Sequence, residues 1–200
     1  MTLDQFRPQM QGIIQPMVNL AKKIGLTPNG LTVASFFVSI LAGIAFYAGG
    51  VVLGIVMVVL NAVFDALDGA LARDTGAAGL RGDFLDHVID RYADIFIITG
   101  IFAGGAAPWP IGVFALTGVL MSSYLGTQAQ AVGVGRYYGG ILGRADRLVL
   151  IIIAGALTVL LPETIYGMNF LGWLLVIFGI FGHYTALQRF VHVWRQIDKR

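Results

Sequence analysis

The sequence predicts an all-α integral membrane protein, with six transmembrane helices preceded by an amphipathic helix on the membrane surface. Hydrophobic residues make up 57% of the 200 positions and charged residues only 12%, about half the share usual in soluble domains. Apolar runs recur along almost the whole chain, whose mean hydropathy is +0.80. We therefore expect one domain over residues 1–200, divided into a juxtamembrane helix at 1–26 and a six-helix membrane domain at 27–200.

The N-terminal segment has the residue spacing of an interfacial helix. Between positions 6 and 24, apolar side chains recur every three or four residues, and glutamine, asparagine and lysine occupy the opposite face. Such a helix lies in the plane of the membrane rather than across it. We expect Gly25 to end this helix, and Thr27 and Pro28 to cap and begin the next one.

Six membrane spans follow this helix. They are predicted at Leu31–Ala48, Val51–Leu71, Val88–Ala107, Pro110–Val134, Leu148–Leu161 and Asn169–Val193. The second and third spans reach the roughly 20 residues of a bilayer crossing only if the acidic residues at one end belong to the helix. Those ends are therefore candidates for a functional site.

The distribution of basic residues predicts the orientation of the spans. The connections at positions 49–50, 104–109 and 162–168 contain no lysine or arginine. All 13 basic residues fall in four other groups: Arg7, Lys22 and Lys23; Arg73, Arg81 and Arg91; Arg136, Arg144 and Arg147; and Arg189, Arg195, Lys199 and Arg200. With six spans these groups share one side, so the positive-inside rule places both termini in the cytoplasm of a cell-membrane protein.

Four aspartates are predicted to converge at the cytoplasmic end of the second and third spans. Asp65 and Asp68 are three residues apart and Asp86 and Asp90 are four apart, so each pair shares a helix face. Two glycines in the segment 74–81 allow a turn that brings the two helices together. Oxygen ligands in this number suit Mg²⁺, Mn²⁺ or Ca²⁺ better than zinc. The alternative interpretation is a solvated acidic loop that pairs with nearby arginines.

Two small residues lie beside these carboxylates on the helical wheel. Gly69 and Ala72 leave room for a flat ligand to approach the backbone of the helix. Close packing of two membrane helices favours the same small residues, so the sequence alone leaves both explanations open.

These residues carry a resemblance to a known family. The pattern resembles the signature of the CDP-alcohol phosphatidyltransferases: Asp65-x-x-Asp68-Gly69-x-x-Ala72-Arg73, eight residues, then Gly82-x-x-x-Asp86-x-x-x-Asp90. The resemblance implies a phospholipid-biosynthesis enzyme that transfers a phosphatidyl-type group from a CDP-lipid to a polar alcohol and releases CMP. The CDP-lipid would be CDP-diacylglycerol or CDP-archaeol. The resemblance also implies a homodimer, and we expect no nucleic-acid partner.

The same resemblance implies roles for individual residues. Asp65, Asp68, Asp86 and Asp90 would hold Mg²⁺ or Mn²⁺ at a site facing the cytoplasm, and Asp90 would also be the catalytic general base. Contacts to CDP are implied for Asp65 and Asp68 and for seven further residues: Asn29, Thr32, Gly69, Ala72, Arg73, Thr75 and Gly76.

A second, cationic site is predicted in the glycine-rich stretch before the fifth span. Arg144 and Arg147 are three residues apart at the start of a helix, a position that favours anions. With Arg136 they form the predicted site for an acceptor phosphate, although topology and lipid headgroups also explain basic residues here. The stretch 143–147 resembles the branch of the family that uses inositol phosphate. Glycerol phosphate, serine and inositol are the alternative acceptors.

Two further aspartates accompany the motif: Asp74 lies within its eight-residue gap and Asp94 follows its end. We expect Asp94 to pair with Arg91 or Arg73, and Asp74 to lie exposed in a loop.

Two other functions compete with the enzyme. A cation transporter would also place acidic residues within membrane helices, but the sequence shows no inverted repeat. A membrane scaffold without enzymatic activity would leave the spacing of the aspartates unexplained.

Overall fold

The structure, a computed structural model, describes residues 7–137 and 139–197, with side chains for residue 12 and from residue 14 onwards. Within these ranges the chain forms seven α-helices and no strands. The helices are α1 (Arg7–Lys23), α2 (Pro28–Tyr47), α3 (Val51–Asp74), α4 (Leu80–Ala103), α5 (Trp109–Ala131), α6 (Arg144–Leu160) and α7 (Phe170–Ile197). The all-α prediction is thus confirmed. The first apolar position of the predicted amphipathic helix, Phe6, and the basic residues Lys199 and Arg200 lie outside the described residues.

Four of the described helices, α2, α3, α5 and α7, are long and apolar enough to cross a membrane. Helix α4 has the length, with 24 residues, but six of them are charged. Helix α6 is strongly apolar after its first turn but has only 17 residues. A helical membrane protein is therefore supported, whereas six crossings stay a prediction.

The boundary between α1 and α2 is the one that the sequence predicts. Gly25 has a φ of +75°, a conformation that glycine adopts without the steric cost of a side chain. Thr27 then caps α2, because its hydroxyl accepts a hydrogen bond from the backbone N–H of Gly30 at 3.1 Å. Pro28 occupies the first turn of α2, where its missing N–H costs nothing.

Two helix pairs form the bundle through close approach of their backbones. A Cβ atom on Gly100 of α4 would overlap the backbone of Gly43 in α2, and one on Gly182 of α7 would lie 2.6 Å from the backbone of Gly118 in α5. Small residues permit this packing in membranes, where van der Waals contact contributes much of the attraction between helices. Helix α4 also contacts α5, and α6 contacts both α3 and α7, so the two pairs form one bundle.

Two helices begin at least one helical turn earlier than the predicted spans. Helix α4 starts at Leu80 rather than Val88, and α6 starts at Arg144 rather than Leu148. The spans were placed by apolar content, whereas a helix continues into a polar layer as long as its backbone groups find partners. At α6 the partner is local, because the Asp146 carboxylate accepts the N–H of Gly143 at 3.0 Å. Asp74, expected in a loop, is instead the last residue of α3.

Candidate active site

A cavity of about 1030 Å³ lies where α3 ends and where α4 and α6 begin. It is lined by twelve of the fourteen residues that the sequence analysis assigned to a site: Asn29, Thr32, Asp65, Asp68, Gly69, Ala72, Arg73, Asp86, Asp90, Arg136, Arg144 and Arg147. The other two belong to the five-residue turn between α3 and α4. There Thr75 caps α3 by donating to the carbonyl oxygen of Leu71 at 2.8 Å, and Gly76 turns the chain with a φ of +67°.

Three carboxylates meet in this cavity. Asp65 and Asp68 on α3 and Asp86 on α4 each place an oxygen within 4.8 Å of the other two. The Thr32 hydroxyl donates to Asp68 at 2.7 Å and so fixes one of the three carboxylates from α2. All three lie on helices rather than in a loop, and the Asp68 side chain is buried. Holding three like charges this close together, one of them buried, is costly unless a cation compensates them, so this group fits a divalent metal ion.

Asp90 adjoins this group but has different neighbours. It follows Asp86 by one helical turn and is 8% exposed. Its carboxylate contacts the guanidinium of Arg144, which also contacts Asp65, and it lies 3.4 Å from Arg91. The structure therefore joins three of the four predicted metal ligands at one point and places the fourth beside two arginines.

Gly69 faces the cavity rather than another helix. Within the described residues, a Cβ atom on Gly69 would meet only the side chain of Arg73, at 3.3 Å. Glycines that serve helix packing in this chain, such as Gly43 and Gly182, have the backbone of a second helix inside that distance. Close helix packing therefore does not account for Gly69, and the exposed backbone beside the carboxylates is available to a ligand.

The three predicted arginines of the acceptor site share one wall of the cavity, and each has an acidic partner. Arg136 donates to Asp83 at 3.1 Å, and Arg144 contacts Asp65 and Asp90, as above. Arg147 is only 3% exposed, and its Nη2 lies 2.6 Å from Asp94. The prediction that Asp94 pairs with Arg91 or Arg73 was therefore wrong, because its ion-pair partner is Arg147.

The sequence analysis missed one residue of this wall, Arg189, and one buried residue that contacts the wall, Asn61. Arg189 of α7 is buried in the cavity wall and donates to the backbone carbonyls of Gly139, at 2.8 Å, and Ser122. Asn61 of α3 is fully buried, and its side-chain oxygen lies 3.5 Å from a donor nitrogen of Arg144. Both lie inside predicted membrane spans, where a polar residue is costly and usually functional, and that signal was available in the sequence.

Comparison with known proteins gives a consistent result. The CDP-alcohol phosphatidyltransferase family matches residues 25–183. The archaetidylinositol phosphate synthase of Pyrococcus horikoshii is 37% identical over 152 residues, which cover 76% of this chain and 81% of that protein. The archaetidylinositol phosphate synthase of Methanothermobacter thermautotrophicus is 33% identical over 195 residues, covering 98% and 95% of the two chains. The crystal structure of Mycobacterium tuberculosis phosphatidylinositol phosphate synthase with CDP-DAG bound is similar with a TM-score of 0.78, at 25% identity, covering 91% and 94%.

Proposed function

Since this chain belongs to the CDP-alcohol phosphatidyltransferase family and is thus a CDP-alcohol phosphotransferase, we propose that it transfers a phosphatidyl or archaetidyl group from a CDP-lipid to inositol phosphate. The products are CMP and a lipid-linked inositol phosphate. The names of the two archaeal relatives support the acceptor, and the CDP-DAG bound to the mycobacterial enzyme supports the donor. The observation that carries the proposal is a single cavity that combines three converging carboxylates with a wall of arginines.

The carboxylates supply the chemistry of a divalent-metal site. Members of the family use Mg²⁺ or Mn²⁺, and carboxylate oxygens suit both ions. Asp65, Asp68 and Asp86 would hold the ion, with Asp90 as the fourth carboxylate of the site. When bound, the metal offsets negative charge on the diphosphate and on the leaving CMP.

Asp90 is the proposed general base. During transfer the acceptor hydroxyl oxygen bonds to the phosphorus that carries the lipid alcohol, and the bond from this phosphorus to the oxygen of CMP breaks. The hydroxyl proton passes to a carboxylate oxygen of Asp90. Its burial and its two guanidinium neighbours, Arg91 and Arg144, support this role because they hold the carboxylate in one orientation.

The walls formed by α2 and α3 are proposed to bind the CDP group. Gly69, which has no side chain, and Ala72 leave space in the cavity, and the Arg73 side chain lies beside Gly69. Asn29 and Thr32 line the cavity from α2, and the carboxylates of Asp65 and Asp68 would reach the nucleotide from the same side. Thr75 and Gly76 would act from the turn, by shaping the end of α3.

The arginine wall is proposed to bind the acceptor phosphate. Arg136, Arg144 and Arg147 are the residues named by the sequence, and Arg189 extends the same wall from α7. Guanidinium groups bind phosphate through paired hydrogen bonds, which favours a phosphorylated acceptor over serine or free inositol. Because Arg147 is held by Asp94, we assign it to the support of the wall rather than to direct contact.

The membrane topology completes the proposal. We propose that α2 to α7 all cross the cell membrane, with both termini and the cavity on the cytoplasmic side and α1 on the surface. Helix α4 has sufficient length, and its charged residues concentrate in its first half, beside the cavity. Helix α6 spans about 26 Å at 1.5 Å per residue, close to the thickness of the hydrocarbon layer. A homodimer is proposed from the family resemblance.

The deciding experiment measures CMP release from a CDP-lipid by the purified protein. Inositol phosphate, glycerol phosphate, serine and inositol are offered separately, each with CDP-diacylglycerol and with CDP-archaeol. The proposal expects CMP release to depend on inositol phosphate. Faster CMP release with another acceptor would agree with the family chemistry but overturn inositol phosphate as the acceptor. No CMP release with any combination of CDP-lipid and acceptor would overturn the function.

A further inference from the structure

Asp74, the last residue of α3, is held by two side chains of α1. The Lys22 Nζ atom lies 2.6 Å from Asp74 Oδ2, and Gln15 Nε2 donates to Asp74 Oδ1 at 3.3 Å. Gln15 and Lys22 are seven residues apart, so they share one face of α1. Both oxygens of this carboxylate are therefore engaged by a helix that precedes it by more than fifty residues in the sequence.

Apolar packing between these two contacts fixes α1 on α3. Val18 and Ala21 of α1 are buried against Leu67 and Leu71 of α3. Helix α1 thus has a defined position along α3, set by side chains that interlock rather than by charge alone. The bonds to Asp74 extend this attachment to the very end of α3.

The segment that Asp74 leads into forms the rim of the cavity. Arg73, Asp74 and the turn residues 77–79 all line the cavity, and Gln15 lines it from α1. Residues 73–80 are all exposed, so few buried contacts hold this segment in place. A tether on Asp74 therefore has a large influence on where the rim lies.

We propose that Lys22 and Gln15 are positioning residues for the CDP-lipid, because they hold the end of α3 and the turn that follows at the nucleotide side of the cavity. This inference rests on the proposed function, which places the CDP group at that side. An exposed ion pair contributes little to global stability. The contact should therefore show its effect in the affinity for CDP-lipid and in the motion of the turn, with little change in unfolding temperature.

The kinetic test compares two neighbouring lysines in the purified full-length protein. Lys22→Glu places a negative charge beside Asp74, whereas Lys23→Glu makes the same charge change at an exposed neighbour. We expect Lys22→Glu to raise the KM for CDP-lipid about three- to tenfold, with the acceptor KM unchanged, and Lys23→Glu to raise neither. Combining Lys22→Glu with Asp74→Lys rebuilds the pair with reversed charges and should restore the KM to within about twofold.

Hydrogen exchange provides a second measurement that needs no substrate. The amides of Thr75, Gly76 and Ala77 donate to the carbonyls of the last turn of α3. Their exchange should be faster in Lys22→Glu, normal in Lys23→Glu, and normal again in the charge-reversed pair. If Lys22→Glu and Lys23→Glu change the CDP-lipid KM and the exchange rates equally in an active enzyme, both lysines act through general attraction to an anionic membrane surface. That result would overturn the positioning role and leave the proposed function intact. A wild-type protein that releases no CMP from any CDP-lipid would instead overturn the proposed function.

Discussion

Several side chains of the site are constrained by a polar or oppositely charged neighbour. Asp68 accepts a bond from Thr32, and Arg144 bridges Asp65 and Asp90 while resting against Asn61. A buried carboxylate or guanidinium without such a partner would be destabilising by several kcal/mol, on the order of the whole stability of a small domain. The residues proposed to act on substrate are therefore also tied into the fold, and their variants must be judged by more than one kinetic constant.

The carboxylate group predicts that turnover depends on a divalent cation. Exhaustive chelation should abolish CMP release, and added Mg²⁺ or Mn²⁺ should restore it, because three aspartate oxygens within 4.8 Å repel one another without a cation. The measurement is the rate of CMP release before and after dialysis against a chelator. Full turnover in the enzyme after chelation would contradict the interpretation of the carboxylates as a metal site.

Asp90→Asn should lose turnover while keeping most of the affinity for CDP-lipid. The amide preserves the shape of the buried side chain but accepts no proton, and a general base contributes about 10²- to 10⁴-fold to rate. CDP-lipid binding and kcat are measured on the same preparation. Glu163→Gln, in the exposed loop between α6 and α7, is the matched carboxyl-to-amide control. A decrease in kcat of less than about tenfold would assign the general base to another residue, with Asp86 the first candidate.

Arg144→Gln tests the acceptor side. Loss of one charge-assisted contact to a phosphate costs about 1.5–3 kcal/mol, so the acceptor KM should rise about 10- to 150-fold and the CDP-lipid KM much less. Arg144→Lys should restore only part of the affinity, because an ammonium lacks the planar donor pair. Arg189→Gln should also raise the acceptor KM more than the CDP-lipid KM. Arg195→Gln, at an exposed position near the end of α7, is the control and should change neither. If both KM values rise together, the arginine serves the nucleotide or the fold.

At the scale of helices, the site depends on polar layers that extend the apolar spans. Helices α4 and α6 each begin with a charged segment, and the two segments are joined by the Asp94–Arg147 pair. Both partners are almost completely buried, so the pair connects α4 and α6 at the edge of the cavity, which Arg147 lines. This contact is the reason why we propose that Arg147 supports the arginine wall.

Breaking this pair should destabilise the fold more than it weakens binding. Arg147→Gln leaves the Asp94 carboxylate buried without its cation, which costs about 3–5 kcal/mol. Adding Asp94→Asn removes that charge, so the double variant should recover most of the lost unfolding temperature in detergent. A double variant that is no more stable than Arg147→Gln would contradict the pairing. An Arg147→Gln protein of normal stability with a raised acceptor KM would assign Arg147 to direct contact with the acceptor.

At the scale of the whole molecule, the sequence predicts the helices well and the partners within the cavity less well. Apolar runs, the Thr27 cap and the Asp65–Asp90 motif determine local structure or spacing, so the presence of the helices, the start of α2 and the convergence of three of the four aspartates were predictable. The partner of Asp94 was not, because Arg147 lies some fifty residues later in the sequence and reaches Asp94 only through the arrangement of the whole bundle. The position of Arg189 inside a predicted span indicates a functional residue, but no local pattern tells that its side of α7 faces the cavity.

The orientation of the whole bundle is a prediction that the absence of cysteine in this chain makes simple to test. Thr164, in the exposed loop before α7, and Thr75, in the exposed turn after α3, lie on opposite sides of the membrane if α4 and α6 both cross it. Thr164→Cys should react with an impermeant thiol reagent in intact cells, and Thr75→Cys should react only after the membrane is opened. Gly140 is unsuitable for such a label because its φ is +136° and a side chain there would meet Thr185. Labelling of Thr75→Cys from outside would invert the topology, and labelling of both from one side would remove one of the crossings.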